Sequence, residues 1–283
     1  MHSEHHIKAV QRIIGDWKRQ GLSVGFVPTM GNLHTGHLSL VTKARQHTDK
    51  VVVSIFVNPL QFGPGEDFDS YPRTLEQDAV ALAEAGVDLL FVPSVNEMYP
   101  HGREGQTQVS VPQLGESLEG TSRPGFFTGV ATVVNKLFHC VPADVAVFGE
   151  KDYQQLLVIR RMVDDLNLPI EILAGPIVRE ANGLAMSSRN GYLSDEQRAR
   201  AATLYQSLNS MREQIESGRR DFAALEQQAH DDLLAAGFKP DYVTLRSAID
   251  LGEMTAQSGP VVLLAAASLG NTRLIDNISF EIQ

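Results

Sequence analysis

The sequence predicts an α/β protein in which a doubly wound parallel sheet is followed by a smaller α+β domain. Five short apolar runs rich in β-branched residues recur before residue 180, and stretches with helical spacing separate them. Strands that are apolar almost throughout are typical of parallel sheets that helices cover on both faces. After residue 178 the pattern changes, which predicts the second domain.

The first domain is expected to span residues 1–178 and to be Rossmann-like. A helix at 7–20 precedes its first strand. The strands are predicted at 22–27, 51–57, 87–92, 144–149 and 170–178. The helices that alternate with these strands are predicted at 36–47, 74–86, 129–140 and 151–166.

Residues 179–283 are expected to form the smaller α+β domain. Two helices are predicted at 194–218 and 221–237. Ser194 and Asp221 are of the types preferred at helix N-caps, and Gly218 and Gly237 are glycines of the kind that ends a helix. Runs that predict a small antiparallel sheet follow at 241–248, 260–270 and 272–282. The last two runs are joined through a Gly270-Asn271 turn, as expected of a hairpin.

The composition is that of an ordinary globular protein. With 43% apolar and 20% charged residues among 283, the chain can bury a core. The formal net charge of −10 argues against binding nucleic acid through the overall field, although a local basic pocket for a small anion remains open. We therefore expect small-molecule partners and no nucleic acid.

The sequence has no evident feature of secretion or membrane insertion. Its start lacks an uncharged apolar core, and no run approaches the roughly 18 apolar residues of a membrane span. The single cysteine, Cys140, cannot form an intramolecular disulfide and is expected to be buried. We predict a cytoplasmic protein with no membrane partner and a mobile terminus around His2, His5 and His6.

Two segments have no regular pattern. The Pro- and Gly-rich segment 58–74 is too long for an ordinary turn and is expected to be functional or mobile. The second, 99–129, contains a strand candidate at 107–111. The sequence leaves open whether this second segment shapes a pocket or is an insertion.

Polar residues follow four of the predicted strands, at the edge where a doubly wound sheet binds ligands. The segments are PTMGNLHTGH after the first strand, NPLQFG after the second, GEKDYQQ after the fourth and MSSRN after the fifth. Their joint position predicts a site for phosphate and other small polar groups. Neither a G-x-x-x-x-G-K-[ST] nor a G-x-G-x-x-G motif occurs.

Each segment also has a purely structural interpretation. His34 and His37 begin a helix and suit phosphate oxygens, but they could equally be a turn residue and a core histidine. Asn58 and Gln61 offer neutral amides to a ligand, or ordinary turn chemistry. Lys151 is either an anion ligand or half of a solvated ion pair, and MSSRN is either a triphosphate-binding segment or a capped turn.

Beyond these features, the sequence resembles known enzymes. The histidine segment and the later Met-Ser-Ser-Arg segment resemble the HIGH and KMSKS signatures of the nucleotidylyltransferase superfamily, which includes class I aminoacyl-tRNA synthetases. A closer resemblance, covering nearly the whole chain, is to the pantothenate synthetase (pantoate–β-alanine ligase) family. Its signature blocks are matched in order by PTMGNLHTGHLSLV, SIFVNPLQFGPGEDFDSYPRT, FFTGVATVVNKLF, FGEKDYQQ and MSSRNGYLS.

The resemblance implies a two-step ligase that uses Mg²⁺ with ATP. ATP and pantoate would give pantoyl adenylate and pyrophosphate, after which the amine of β-alanine would release pantothenate and AMP. The family also implies a homodimer. Because the adenylate must be shielded from water, segment 58–74 and the lid domain 179–283 are expected to cover the active site.

The same resemblance implies roles for individual residues. His37 would donate a proton during adenylation, acting with His34, Lys151 and Arg189. ATP would be bound by Met30, Gly31, Asn32, Leu33, His34, Thr35, Gly36, His37, Gly149, Glu150, Lys151, Asp152, Val178, Met186, Ser187, Ser188 and Arg189. Pantoate and β-alanine would be bound by Asn58, Gln61 and Gln155. A contact between Asp78 and the metal is an additional expectation.

Three other functions fit parts of the pattern. An enzyme that moves an adenylyl group onto a phosphate-bearing acceptor would need no β-alanine. A tRNA-charging enzyme is disfavoured by the acidic chain and the lack of an evident anticodon domain. A regulator would bind ATP without turnover, which would leave the two histidines, Lys151 and Arg189 without a catalytic task.

Overall fold

The structure, a computed structural model, describes residues 1–63, 65–254 and 258–283. Pro64, within the segment predicted at 58–74, lies outside the described residues. The chain divides into two compact units. The first unit comprises 1–150 and 154–176, and the second comprises 151–153 and 177–283.

The first unit contains a parallel sheet, as the sequence predicts, but with six strands where five were expected. Its strands are β1 (His2–Glu4), β2 (Val24–Thr29), β3 (Lys50–Ile55), β4 (Leu89–Phe91), β5 (Val145–Gly149) and β6 (Glu171–Gly175). The strand order is β1-β4-β3-β2-β5-β6, and every described pairing is parallel. The helices are α1 (Ile7–Arg19), α2 (Thr35–His47), α3 (Leu75–Glu84), α4 (Val95–Met98), α5 (Glu119–Ser122), α6 (Phe126–Cys140) and α7 (Tyr153–Asp165).

The sheet is buried on both faces because its strands are apolar at successive positions. In β2, Phe26 packs into one hydrophobic cluster and its neighbour Val27 into another. Val52 and Val53 in β3 divide between the same two clusters. Successive side chains of a strand point to opposite faces, so the two clusters lie on opposite sides of the sheet.

The second unit is α+β, as predicted. Its helices are α8 (Asp195–Ala201), α9 (Thr203–Glu216) and α10 (Phe222–Ala235), and its strands are β7 (Lys239–Ser247), β8 (Gly259–Leu269) and β9 (Thr272–Ile282). The strands form an antiparallel sheet in the order β7-β8-β9. A hydrophobic cluster that includes Leu204, Leu208, Leu233, Val261 and Leu263 joins the helices to one face of this sheet.

The local signals of the second unit are confirmed. Ser194 caps α8 in a reciprocal capping box with Gln197, and the Asp221 side chain accepts from the backbone of α10. Gly218 and Gly237 follow helices with positive φ angles, and Gly270 begins the turn between β8 and β9. Each residue type therefore acts at the position for which its backbone or side-chain preference suits it.

Three predictions about local structure are wrong. His2–Glu4 are not a mobile terminus but form β1, because the backbone at the edge of β4 pairs with them. No strand forms at 107–111, where the N–H of Val109 donates to the hydroxyl of Thr132 in α6. The helix predicted at 194–218 is interrupted at Ala202, although this residue keeps helical dihedral angles.

Cys140 is buried at the end of α6, as expected. Burial raises the pKa of its thiol to about 11, so the group remains protonated at neutral pH. Within the described residues, no helix combines the length and the apolar composition that a membrane span requires.

Candidate active site

The strand order brings the predicted ligand-binding segments of the first unit to one edge of its sheet. β2 lies between β3 and β5, and all three strands run in the same direction. The segments that follow these strands therefore leave the sheet side by side, at the point where the strand order reverses. The segment after β2, residues 30–34, is called the histidine turn, and the segment after β3, residues 58–61, is called the amide turn.

The histidine turn is held by a carboxylate from α3. Both oxygens of the buried Asp78 accept backbone N–H groups, from Asn32 at 2.9 Å and from Leu33 at 2.8 Å. The hydroxyl of Thr74 donates to the same carboxylate at 3.1 Å. Gly31 has a φ of +83°, and an added Cβ would lie 3.1 Å from an oxygen of Asp78. A glycine is thus suited to this position both by backbone conformation and by space.

The two histidines are arranged as a reciprocal cap at the start of α2. The Nδ1 atom of His34 accepts from the N–H of Gly36 at 3.1 Å, and Nδ1 of His37 accepts from the N–H of His34 at 3.3 Å. The ring centroids are 4.1 Å apart. Since a backbone donor occupies each Nδ1, the neutral rings carry their protons on Nε2. Both rings are half-buried, so His37 is not a core histidine, whereas the turn role of His34 is confirmed.

The amide turn is organised by the buried side chain of Asn58. Its Nδ2 donates to Oε1 of Gln61 at 3.0 Å and to the carbonyl of Gly129 at 3.2 Å. Its Oδ1 accepts from the hydroxyl of Tyr99 at 2.7 Å. This chain of bonds fixes the orientation of both amides. The nitrogen end of the Gln61 amide is therefore the end that would donate to a substrate.

Three residues that the sequence analysis missed support the amide turn. Tyr99 is buried, and this burial raises the pKa of its hydroxyl well above the ordinary value, so it remains a donor. Gly129 allows α6 to approach closely, because an added Cβ would lie 2.1 Å from the carbonyl oxygen of Leu60. Arg123 donates to the backbone oxygen of Gln61 at 3.0 Å and pairs with Glu66.

None of these three residues carries a sequence signal that singles it out. Tyr99 and Arg123 lie in the irregular segment 99–129, and Gly129 lies in a predicted helix. The only available indication was that 99–129 is too long for a simple connection. The structure thus shows that this segment supports the amide turn, which the sequence left open.

Gln154 and Gln155 differ in their surroundings. Gln154 is buried, donates to the carbonyls of Leu114 and Ser117, and accepts from the N–H of Glu119. Gln155, the residue expected to bind pantoate, is half-buried one position further along α7. Gln154 is therefore the residue that fixes the 114–119 segment to α7.

The ATP-binding residues expected after β5 divide between the units. Gly149 and Glu150 belong to the first unit, whereas Lys151 and Asp152 belong to the second. Residues 150–152 form one turn of 3-10 helix before α7. Lys151 is half-buried and Asp152 is exposed.

In the second unit, Val178 and Met186–Arg189 lie on a hairpin-like segment. The N–H of Met186 donates to the carbonyl of Val178 at 2.9 Å, and Arg179 pairs with Ala185 in an antiparallel bridge. Ser187 Oγ accepts from the N–H of Arg189 at 3.2 Å, so the capped-turn interpretation of this serine is confirmed.

The end of this segment is held by Asn190, a residue of the MSSRN segment for which the sequence predicted no role. Its buried Nδ2 donates to Glu180 and to the carbonyl of Ala185, both at 3.0 Å. Arg198 binds the same carboxylate with two hydrogen bonds of 2.8 Å. Mainly through the hydrogen bond from Arg198, the pKa of Glu180 is lowered.

The structure thus places the expected residues in two groups. The first unit holds the histidine turn, the amide turn, Gly149, Glu150 and Gln155. The second holds Lys151, Asp152, Val178 and Met186–Arg189. In the part of the chain that the structure describes, no group of three or more His, Cys, Asp or Glu side chains is placed to hold a metal ion.

Comparisons with known proteins identify close relatives. Residues 2–279 match a family model described as pantoate-beta-alanine ligase. A pantothenate synthetase of Pseudomonas fluorescens is 56% identical over 282 residues, which are 100% of this chain and 99% of that protein.

Two solved structures are also similar over almost their whole length. Pantothenate synthetase from Thermus thermophilus is 47% identical with a TM-score of 0.90, and the match covers 98% of this chain and 99% of that one. A pantoate-beta-alanine ligase from Francisella tularensis, described as complexed with beta-gamma ATP and beta-alanine, is 35% identical with a TM-score of 0.81. That match covers 98% of this chain and 97% of the Francisella chain.

Proposed function

The chain belongs to the pantoate–β-alanine ligase family, and from this premise we propose that it condenses pantoate with β-alanine through a pantoyl-adenylate intermediate. In the first step, a carboxylate oxygen of pantoate attacks the α-phosphorus of ATP, and the bond to pyrophosphate breaks. In the second, the amine of β-alanine attacks the acyl carbon, loses a proton, and displaces AMP. The products are pantothenate, AMP and pyrophosphate.

The observation that carries this proposal is the similarity of the whole chain to the Francisella ligase. The beta-gamma ATP and beta-alanine named for that structure correspond to two of the three proposed substrates. The match covers 98% of this chain and therefore extends over both units.

The histidine turn suits the first step. Phosphoryl and adenylyl transfer need positioned donors more than a covalent protein intermediate. The Nε2–H tautomer of His34 and His37 provides donors at the start of α2, where the helix dipole also favours an anion. We propose that His37 donates to the phosphate oxygens as charge develops, with His34 assisting.

The amide turn suits a substrate that bears hydroxyl and carboxylate groups. The Gln61 amide can recognise such groups without adding a negative charge, and its orientation is fixed through Asn58, which Tyr99 and Gly129 hold. We propose that Gln61 binds pantoate and lies beside β-alanine, that Asn58 orders this pocket, and that Gln155 contributes to pantoate binding.

The remaining ATP contacts are proposed from the family resemblance. Gly149, Glu150 and Met186 would bind the nucleotide with Asp152 on the ribose, and the backbone of Val178 would contact adenine. The side chains that would act chiefly on the phosphates are Lys151, Ser187, Ser188 and Arg189. Arg189 supplies a planar group that can bind two phosphate oxygens at once.

We propose that Mg²⁺ enters with ATP, since the ion is usually held by phosphate oxygens, waters and one or two carboxylates. Asp78 is a candidate contact, but Asn32, Leu33 and Thr74 already use three of the about four acceptor positions of its carboxylate. Its contribution to the site is therefore chiefly to hold the histidine turn. A direct contact with the metal stays a prediction.

Homodimerisation is also a proposal that rests on the family resemblance, and a cytoplasmic location is a proposal that rests on the sequence. Light scattering of the purified protein tests the first. A mass of twice 31.0 kDa is expected, and a mass of one chain at micromolar concentration would contradict it.

The proposed reaction is tested by measuring AMP release with ATP and Mg²⁺ while pantoate and β-alanine are omitted in turn. Pantothenate and AMP are expected only when both acceptors are present, with the product identified by mass. In a parallel reaction with ATP and a phosphomonoester in place of pantoate, a stable adenylylated product with release of pyrophosphate would favour the rival nucleotidylyltransferase. Binding of ATP without turnover would favour a regulator.

Pyrophosphate exchange into ATP isolates the first step and tests two assigned residues. His37→Ala and Lys151→Ala should lose exchange far more than they lose stability, with a loss of about 1 kcal/mol for His37→Ala because its ring also caps α2. Lys8→Ala, which removes an exposed lysine from α1, is the control and should keep the wild-type exchange rate and the wild-type free energy of unfolding. Normal exchange in the two site variants would contradict the assigned roles.

A further inference from the structure

Two neighbouring polar residues lie buried in the middle of β9. Asp276 and Asn277 are each 3% exposed, in a strand whose other buried residues include Leu274 and Ile278. Buried polar groups are costly unless they are hydrogen-bonded, and a buried charge requires a partner. The partners of these two residues lie in the ATP-binding segments proposed for the second unit.

Asn277 binds the backbone of Lys151. Its Nδ2 donates to the Lys151 carbonyl at 2.9 Å, across 126 residues of sequence. The hydroxyl of Tyr153, two residues further on, donates to the carbonyl of Ala248 at 2.9 Å. Two bonds thus attach the short segment 151–153 to the second unit, although α7 continues into the first unit.

Asp276 binds the other ATP-binding segment. Its two oxygens accept from the guanidinium of Arg179 at 2.6 and 2.9 Å, in a two-bonded pair. Arg179 also donates to the carbonyl of Gly183 and stacks on Tyr205, 3.8 Å from the ring centroid. Arg179 follows Val178 directly and begins the hairpin that leads to Met186, so Asp276 fixes the base of that hairpin.

Arg179 and Lys151 are the cations that act on the buried Asp276. Burial raises the pKa of Asp276, while the hydrogen bonds and positive charge of Arg179 and the positive charge of Lys151 oppose that rise. Because Arg179 binds the carboxylate directly, the buried acid has the partner that its position in the strand requires.

We propose that Asp276 and Asn277 are positioning residues that hold segments 151–153 and 178–189 in the geometry that ATP binding requires. Neither residue needs to touch the nucleotide. Asn277 fixes the backbone that carries Lys151, and Asp276 fixes the arginine that begins the segment carrying Ser187, Ser188 and Arg189. The inference rests on the proposed function to the extent that these segments bind ATP.

The principal test compares Asn277→Ala with Thr244→Val. Thr244 is also buried in the three-stranded sheet, but its hydroxyl donates to Glu226 of α10. Both variants lose a buried hydrogen bond, so both should lose stability. Only Asn277→Ala should weaken ATP binding, by about tenfold, as expected for the loss of one positioning hydrogen bond.

ATP binding is measured by calorimetry on the full-length protein, together with KM values for the three substrates. For Asn277→Ala we expect a raised Kd and KM for ATP and unchanged KM values for pantoate and β-alanine. If this variant fails to fold, Asn277→Ser provides the test. Serine keeps a polar group in the buried position but is too short to bind the Lys151 carbonyl.

Hydrogen exchange gives a second readout that distinguishes positioning from general loss of stability. Asn277→Ala should accelerate exchange in peptides covering 151–153, and Asp276→Asn in peptides covering 179–186. Thr244→Val should accelerate neither. If all three variants exchange faster by the same factor in every peptide, the proposal is overturned.

The outcomes also separate this inference from the proposed function. If the wild type binds ATP but forms no pantothenate, the proposed function fails, and the comparison of ATP binding still decides the inference. If the wild type forms pantothenate and both Asn277 variants bind ATP normally, the inference alone is overturned. Equal weakening by Thr244→Val would overturn it too, as would failure of the wild type to bind ATP.

Discussion

The histidine turn and the amide turn follow neighbouring strands of one sheet, yet they are held in different ways. Asp78 holds the histidine turn with a carboxylate that accepts two backbone N–H groups. Asn58 holds the amide turn with a neutral side chain, which Tyr99 and Gly129 orient in turn. The backbone is what is fixed in the histidine turn, whereas the side-chain amides are what is fixed in the amide turn.

The difference follows from what each turn is proposed to bind. Asp78 occupies the N–H groups of Asn32 and Leu33, so anion binding falls to the two histidines and the start of α2. The amide turn is proposed to bind a hydroxyl and a carboxylate, and its anchor Asn58 adds no negative charge that would repel the carboxylate. At the histidine turn, the carboxylate of Asp78 is engaged by backbone N–H groups, and the phosphate is left to the imidazoles.

The largest effect is expected from Asp78→Asn, which removes the charge from the anchor of the histidine turn. The weakening of charge-assisted, partly buried hydrogen bonds to two backbone N–H groups should lower the free energy of unfolding by about 3 kcal/mol. Urea denaturation measures this change, and the KM for ATP should rise because the turn is no longer fixed.

Asp88→Asn is the matched control in the same unit. Its carboxylate accepts from the N–H of Val51 and from Lys50, away from the histidine turn. This variant should lose about 1 kcal/mol of stability and keep the wild-type KM for ATP. If both variants raise the KM for ATP equally, Asp78 has no special role in the turn.

The next largest loss of stability is expected from Gly129→Ala, which displaces the amide turn. Gly129→Ala would place a Cβ 2.1 Å from the carbonyl oxygen of Leu60, and overpacking of this kind should cost about 2 kcal/mol. Because the amide turn must shift, the KM values for pantoate and β-alanine should rise more than that for ATP. Steady-state kinetics with each substrate varied in turn measure this.

Gly15→Ala in α1 is the control for the change of residue type. Its added Cβ would meet only Arg19 at 3.5 Å, so the variant should be stabilised by about 0.5 kcal/mol through helix propensity. Unaltered kinetics for both glycine variants would show that α6 does not position the amide turn.

A smaller effect is expected from Tyr99→Phe, which removes one of two donors to Oδ1 of Asn58, the other being the N–H of Leu60. Stability should fall by about 1.5 kcal/mol, and the KM for pantoate should rise because the amides of Asn58 and Gln61 are oriented less firmly. Thr132→Val removes a buried hydroxyl from α6 that binds Val109 instead. A comparable rise in KM in this control would mean that packing, and not amide orientation, is responsible.

The smallest loss of stability is expected from a change at Glu180, which tests whether the segment Met186–Arg189 also depends on a charged anchor. Glu180→Gln weakens the bonds to Arg198 and Asn190 and should cost about 1 kcal/mol at neutral pH, since the pair is partly exposed. Thermal unfolding at several pH values measures this cost and its pH dependence.

The lowered pKa of Glu180 fixes the direction of that pH dependence. Its contribution to stability is present above the unfolded value of 4.5 and is lost as the pH falls through the lower folded value. The difference in stability between wild type and Glu180→Gln should therefore shrink below pH 4.5. A difference that stays constant or grows on acidification would contradict the assignment.

The sequence by itself determined the fold class and most of the elements. Apolar runs in the strands, helical periodicity between them, and residues such as Ser194, Asp221 and Gly270 report local preferences that the structure confirms. The sequence also indicated which strand ends carry polar residues. Such signals are readable because each depends on residues only a few positions apart.

Only the tertiary structure decided what holds the candidate site together. Asp78 binds a turn 46 residues away, Tyr99 binds Asn58 across 41 residues, and Asn277 binds Lys151 across 126. β1 likewise exists because the edge of β4 accepts it. These contacts depend on which distant elements become neighbours and in what register, and a pattern of local periodicity contains no information about either.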